Sequence, residues 1–376
     1  MLNWLSKTTK CPSAPRSAIG LMSGTSLDGF DACIVTETLD GSRINVNATH
    51  HCPLPDSVRQ RFQRVIETGE VHLASLLQLE IDYTNAVIDQ CRMLLDRPDY
   101  PVSIIGFHGQ TLWHGPNIGS TLQIGFAELL AEATQTAVAH QFRRGDMARG
   151  GEGAPLAPLF LKTHFGRETE NVCALNLGGI ANLSILSPGQ PVTGWDLGPA
   201  NTLSDSWHQL HQGSPFDLDG SFAASGHIQA DLLEILLADP YFEKKPPKST
   251  GREYFSLAWL EKKLKDQQKF SPADVQATLN QMTAVLVNQA LPYDTDILVV
   301  SGGGIHNLHL MQVIDEVVQP LVTTSEIFSI DPDYVEAACF GWLGLQCLDH
   351  HILPTTTLTG SLRPGVLGSI VRPTKG

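Results

Sequence analysis

Three glycine-rich stretches carry the residue types that gather around an anion. The first runs Gly20-Leu21-Met22-Ser23-Gly24-Thr25-Ser26-Leu27-Asp28-Gly29. Its glycines let backbone N–H groups converge, and the Ser23, Thr25 and Ser26 hydroxyls add donors. Asp28 adds a carboxylate able to hold a divalent cation, directly or through water, beside a polyphosphate. The same residues also suit a plain hairpin turn held by Asx and Ser/Thr bonds. The second stretch, Asn176-Leu177-Gly178-Gly179-Ile180-Ala181-Asn182, repeats the chemistry with amides in place of the acid. The third, Ser301-Gly302-Gly303-Gly304-Ile305-His306, ends an apolar run, and its glycines let a flat ring or a sugar lie against backbone. Each reads singly as a close turn; all three together are much less expected by coincidence.

Asp196 lies in Gly194-Trp195-Asp196-Leu197-Gly198-Pro199-Ala200-Asn201. Apolar neighbours raise a carboxyl pKa toward general-base values. The competing reading is an Asp that caps the next helix. His108-Gly109-Gln110-Thr111 ends another apolar run and offers side-chain hydrogen bonds to a polar ligand. Glu336 opens a late helical stretch, as a first-turn acid favoured by the helix dipole or as a ligand contact. Arg143, Arg144 and Arg149 are either phosphate or carboxylate partners or solvated arginines of a glycine-rich loop.

Other chemistries are disfavoured. Pro247-Lys248-Ser249-Thr250 resembles the end of a Walker A loop, but Tyr241 to Pro247 supplies no upstream glycines. No Gly-x-Gly-x-x-Gly follows a strand, and Gly-x-Ser-x-Gly is absent. Ser23 and Ser26 have no base spaced for acyl hydrolysis. His108, His114, His350 and His351 match no zinc spacing. Asp217-Leu218-Asp219-Gly220 lacks the full calcium-loop pattern and reads as a turn.

The elements that must position these residues alternate between α and β. Strands are expected at Ser17 to Leu21 and Phe30 to Val35, around the first turn, then at Val102 to Phe107, Thr121 to Ile124 and Ala137 to His140. A helix is expected from Leu73 to Leu95 with an apolar seam through Leu77, Ile81, Ile88 and Leu95. A second strand–glycine turn–strand unit covers Val172 to Leu186. Ser271-Pro272-Ala273-Asp274 starts a helix, with Ser at the cap, Pro at the first position and an acid at the third; Val275, Leu279, Met282 and Leu286 form its buried face. Ile297 to Val300 is a strand running into the third turn. The recurrence predicts a duplicated α/β lobe pair. The glycine-rich, charged run after Phe142 sets the expected boundary: 1–142 with 352–376 in one lobe, 143–351 in the other.

Composition narrows the function classes. The 376 residues hold 25 Lys+Arg against 39 Asp+Glu, a formal net charge of −14, which repels phosphate backbones and disfavours a nucleic-acid binder. At 42% hydrophobic and 17% charged the chain is globular. No apolar run is long enough to span a bilayer, so no membrane association is expected. An odd set of 7 cysteines without Cys-x-x-Cys fits reduced, buried thiols in a cytoplasmic protein.

Several of these stretches, together with Phe142-Arg143-Arg144-Gly145-Asp146 and Gly151-Glu152-Gly153-Ala154-Pro155, resemble the anhydro-N-acetylmuramic acid kinase family, collinearly from about Gly20 to Gly368. The three turns are also similar to the two phosphate motifs and the adenosine motif of the wider sugar kinase, Hsp70 and actin superfamily. The resemblance implies an α/β, two-lobed actin-like ATPase (ribonuclease H-like) fold with an interlobe ATP cleft. It implies nucleotide contacts from Ser23, Gly24, Thr25, Ser26, Leu27, Asp28, Gly29, Asn176, Gly178, Gly179, Gly302, Gly303 and Gly304, and Mg²⁺ at Asp28. The implied substrate is 1,6-anhydro-N-acetylmuramic acid from peptidoglycan turnover. Asp196 would be the base that activates water, with His108, Gln110 and Glu336 toward the sugar. A cytoplasmic homodimer is implied. The rival readings are a conventional amino-sugar kinase of the same fold, and an ATP-driven binding module like Hsp70 or actin.

Overall fold

The computed structural model describes residues 15–24, 27–246, 248–265 and 270–374. Thr25 and Ser26 of the first turn lie outside the described residues. The chain divides into two compact units: Met1–His164 with Tyr334–Gly376, and Phe165–Asp333. In chain order the first unit holds β1 (Ser17–Ser23), β2 (Gly29–Glu37), β3 (Ile44–Pro53), α1 (Asp56–Thr68), α2 (Leu73–Leu95), β4 (Val102–Gly115), β5 (Ser120–Ile124), α3 (Ala127–Thr134), β6 (Val138–His140), α4 (Phe142–Met147) and α5 (Ala157–His164). The second holds β7 (Val172–Leu177), β8 (Ile180–Ile185), β9 (Thr193–Pro199), α6 (Asn201–Gln212), α7 (Ser221–Ala224), α8 (Ala230–Leu237), α9 (Leu257–Leu264), α10 (Pro272–Ala290), β10 (Ile297–Ser301), α11 (Leu308–Val317) and β11 (Leu321–Thr324). The chain then returns to the first unit with α12 (Val335–Leu348) and β12 (Ser369–Val371).

The two sheets share one strand plan. In the first unit β3, β2 and β1 form an antiparallel meander, and β4 and then β6 add in parallel. In the second, β9, β8 and β7 form the meander, and β10 and β11 add in parallel. This repetition is the duplicated α/β architecture the glycine turns predict. Each first strand ends at a glycine turn, so each turn sits at a strand's C-terminal end, where open α/β sheets bind ligands.

Strand alternation decides what covers the first sheet. Ile19 and Leu21 point into a core with Phe62, Tyr83, Val87 and Leu130, from α1, α2 and α3. Gly20 and Gly106 point the other way, against α12. A Cβ on Gly20 would strike the Ala337 carbonyl, and one on Gly106 the Phe340 carbonyl. Glycine here lets helix backbone rest on strand backbone. That contact fixes α12, and Glu336 in its first turn, relative to β1 and β4.

In the second unit Ser271 caps α10 by accepting from the Asp274 N–H, and Val275, Leu279, Met282 and Leu286 are buried as the periodicity predicts. These residues share a core with Trp207, Leu232, Tyr241 and Phe255.

Three expectations change. The unit boundaries fall at 164/165 and 333/334 instead of 142/143 and 351/352. The glycine-rich run after Phe142 belongs to the first unit, as α4 and the loop that follows it: Asp146 of α4, fully buried, accepts from the Gly153 N–H and the Thr359 hydroxyl. The face of α2 also shifts. Ile88 is buried and Leu95 packs against the core as expected, but Leu77 is 60% exposed, and Leu79, Tyr83, Val87, Cys91 and Leu94 complete the buried face. The helix has apolar residues on more than one side, and the sheet it meets selects the face. The strand ending at His108-Gly109-Gln110 runs on to Gly115, because β5 folds back on it.

Candidate active site residues

The first glycine turn is braced from β4. Ser23 is buried; its hydroxyl meets both the Gly29 carbonyl, at 3.1 Å, and Gln110 Oε1. Gln110 Nε2 in turn donates to the Gly24 carbonyl at 3.1 Å. Both ends of the Gln110 amide are therefore engaged inside the protein. Asp28 is exposed at the turn, and its Oδ1 accepts the Gly29 N–H at 3.0 Å.

His108 is buried and uses both ring nitrogens. Nδ1 pairs with the Gly109 carbonyl at 2.8 Å, and Nε2 with Arg143 Nε at 3.0 Å. A carbonyl cannot donate and a guanidinium cannot accept, so the ring is neutral with its proton on Nδ1. Burial, then the Arg143 charge, holds the His108 pKa well below its usual value. Arg143 also donates to the Gly153 carbonyl at 3.1 Å. The sequence left Arg143 open between charge balance and a solvated loop position; the structure shows it orienting His108. Arg144 and Arg149 likewise bond backbone carbonyls, of Thr121 and Val366. Glu336 reaches solvent, yet the protein around it raises its carboxyl pKa, opposed by Arg143 and reinforced by Asp31.

In the second unit Asp196 lies within β9, opposite Asn182 of β8, beside a register shift at Ala181/Asn182. It does not cap α6. The residue at that cap is Ala200, and the first α6 N–H groups, of Asn201 and Thr202, bond the Gly178 and Gly179 carbonyls. Asp196 is held instead by the segment after α8. Its Oδ2 accepts from Ser249 Oγ at 2.9 Å and from the Thr250 N–H at 3.0 Å. Its N–H donates to the Lys248 carbonyl at 3.2 Å, and its carbonyl accepts from the Tyr241 hydroxyl at 2.8 Å. Oδ1 has no partner among the described residues. Burial raises the Asp196 pKa; the Thr250 and Ser249 donors oppose the rise by favouring the charged form. A partly buried carboxylate, pinned at one oxygen and open at the other, is built to accept a proton.

The holding segment is anchored at both ends. Asp239 accepts from the Tyr241 N–H, the Tyr254 hydroxyl and Trp259 Nε1, and Tyr241 and Phe255 are buried in the core beneath. Ser249 and Thr250, set aside above as a failed Walker A match, are residues of this site. In the sequence they stand only as polar residues of that rejected match.

The second and third turns meet. Gly302 has φ 84°, and a Cβ there would lie 2.5 Å from Asn176 Oδ1 and 3.0 Å from the Leu177 carbonyl. A Cβ on Gly304 would press on Leu177. Gly303, in contrast, faces open space. Two of the three glycines thus pack the turns together, and the middle one presents bare backbone.

A family model described as anhydro-N-acetylmuramic acid kinase matches residues 16–373. An anhydro-N-acetylmuramic acid kinase of Pseudomonas fluorescens (strain Pf0-1) is 39% identical over 359 residues, covering 94% of this chain and 98% of the relative. One of Bordetella petrii is 42% identical over 369 residues, covering 94% and 96%. Among solved structures, a ROK family glucokinase from Streptomyces griseus in complex with glucose and AMPPNP superposes with a TM-score of 0.40 at 12% identity, over 88% of this chain and 99% of that one.

Proposed function

This chain belongs to the anhydro-N-acetylmuramic acid kinase family, and on that premise we propose that it converts 1,6-anhydro-N-acetylmuramic acid, ATP and water into N-acetylmuramic acid 6-phosphate and ADP. The observation that carries the mechanism is the Asp196 carboxylate, with Oδ2 pinned, Oδ1 open and its pKa raised.

Asp196 Oδ1 takes a proton from water as the water oxygen bonds to the anomeric carbon. The bond between that carbon and O6 breaks, and O6 takes the γ-phosphoryl group as ADP departs. Ordinary glycoside hydrolysis needs a second carboxylic acid to protonate the leaving oxygen. Here the phosphoryl group captures that oxygen, so one base suffices. A positioned base supplies about 10²–10⁴-fold, and alignment and phosphate contacts supply the rest.

We assign nucleotide contacts to the first turn, to the turn at Asn176, Gly178 and Gly179, and to bare Gly303. Gln110 serves by bracing the first turn. His108, buried against Phe340 with both ring nitrogens engaged, is assigned to position Arg143 on the sugar side. Glu336, accessible and with a raised pKa, is the sugar contact of that unit. No group of three His, Cys, Asp or Glu among the described residues forms a metal cage. Mg²⁺ bound with a nucleotide needs only one or two carboxylates, which exposed Asp28 fits. When bound there it would neutralise phosphate charge.

We propose a cytoplasmic homodimer on the family resemblance alone. No helix among the described residues is long and apolar enough to cross a membrane.

The test is the product's mass with purified protein and Mg-ATP. Gain of one water and one phosphoryl group over the anhydro sugar supports the reading. ADP release only with N-acetylmuramic acid, whose O6 is already free, would replace it with a conventional amino-sugar kinase.

A further inference from the structure

The segment that pins Asp196 ends in a cation the mechanism has not used. Arg252 lies over the second glycine turn. Its Nε and Nη2 are 2.8 Å and 3.0 Å from where a Cβ on Gly179 would stand. The absence of that Cβ is what lets a guanidinium rest against the turn's backbone.

Arg252 is exposed and has no hydrogen bond or ion pair among the described residues. Its neighbours in sequence are committed. Lys244 and Lys248 lie over the Tyr241 ring at 5.4 Å and 4.7 Å. Ser249 and Thr250 are spent on Asp196.

The Gly178 and Gly179 carbonyls are already occupied by the α6 N-terminus, so the turn leaves the Arg252 donors unspent. The Arg252 charge also favours the ionised form of Asp205, on α6, against burial, which pushes that carboxyl up to about 7. The site therefore combines a glycine turn, a guanidinium laid over it and planar N–H donors left open to solvent. A guanidinium fork matches phosphate oxygens and can bond two at once.

We propose that Arg252 binds the phosphate chain of the nucleotide at the Gly178-Gly179 turn, as a catalytic residue of the phosphoryl transfer. This rests on the ATP-dependent reading above. The chain's net charge of −14 makes such a cation the more necessary for drawing a polyanion to the turn.

The test measures dissociation constants of the full chain and of R252Q and R252K for AMPPNP with Mg²⁺ and for adenosine. Charge-assisted hydrogen bonds of this kind correspond to about a 10- to 100-fold loss when removed. R252Q is expected to lose AMPPNP affinity by that factor and keep its adenosine affinity, with R252K in between. Unchanged AMPPNP binding by R252Q would overturn the proposal. Equal losses for AMPPNP and adenosine would also overturn it, by showing a structural role. If the unmodified chain binds no AMPPNP, the ATP-dependent reading itself fails, independently of Arg252.

Discussion

Replacing Asp196 by Asn removes one charge and almost no volume. The structure says how the amide will sit. Ser249 Oγ and the Thr250 N–H both donate to Oδ2, so the amide oxygen takes that place. The amide nitrogen then occupies the open Oδ1 position, where it cannot accept a proton. The holding segment keeps both hydrogen bonds, so the site's geometry persists while its base is lost. A base in this role is worth about 10²–10⁴-fold, or roughly 3–6 kcal/mol of barrier at about 1.4 kcal/mol per decade. Stability should move the other way. Burial raises the Asp196 pKa in the folded chain, so its ionised form opposes folding once pH exceeds the unfolded value. Neutralising it should leave the Tm unchanged or slightly higher near neutral pH. The assay is ADP release under saturating Mg-ATP and anhydro sugar, with a thermal melt of the same preparation. Turnover within threefold of the unmodified enzyme would refute Asp196 as the base. Lost turnover with a collapsed Tm would refute the geometric argument, because the role would then be structural.

Ser249→Ala removes one of the donors that favour the ionised Asp196, so the acidic limb of kcat/KM should move to higher pH; a limb that stays in place would separate Asp196 from that titration. His108 should be neutral at pH 6 with its proton on Nδ1, because burial and the Arg143 charge hold its pKa well below the usual value, and a ¹⁵N-correlated imidazole spectrum will show it; an imidazolium pattern at pH 6 would contradict the Arg143 contact. Gly106→Ala forces a Cβ against the Phe340 carbonyl and should destabilise the first unit by at least about 1–3 kcal/mol in chemical denaturation, while an unchanged midpoint would mean α12 is not pressed on β4 as described.

Much of this protein was legible where cause and effect lie close in the chain. The α10 start is an example, because Ser271, Pro272 and Asp274 act within one helical turn. The bounds of α2 were equally legible, from apolar density between Leu73 and Leu95. The glycine turns declared themselves because strand ends and converging N–H groups are local features. Asp196 stood out as an acid among apolar neighbours, and the family resemblance assigned its role.

What remained illegible depends on residues that meet only on folding. Which face of α2 is buried was decided by the sheet beneath it. Gly20 and Gly106 read as turn and strand residues until α12, far along the chain, was laid across them. Gln110 looked free to bind a ligand, but β4 brings it beside Ser23 and Gly24, and its amide is consumed there. Ser249 and Thr250 carried no signal of their own, being polar residues in a loop. They matter because Asp239, Tyr241 and Phe255 anchor that loop over β9, and the two donors then reach one oxygen of Asp196. A single chain determines its turns, caps and periodicities through neighbours a few bonds away. The partner of a buried polar atom is chosen by packing, which sets distant segments within hydrogen-bond reach.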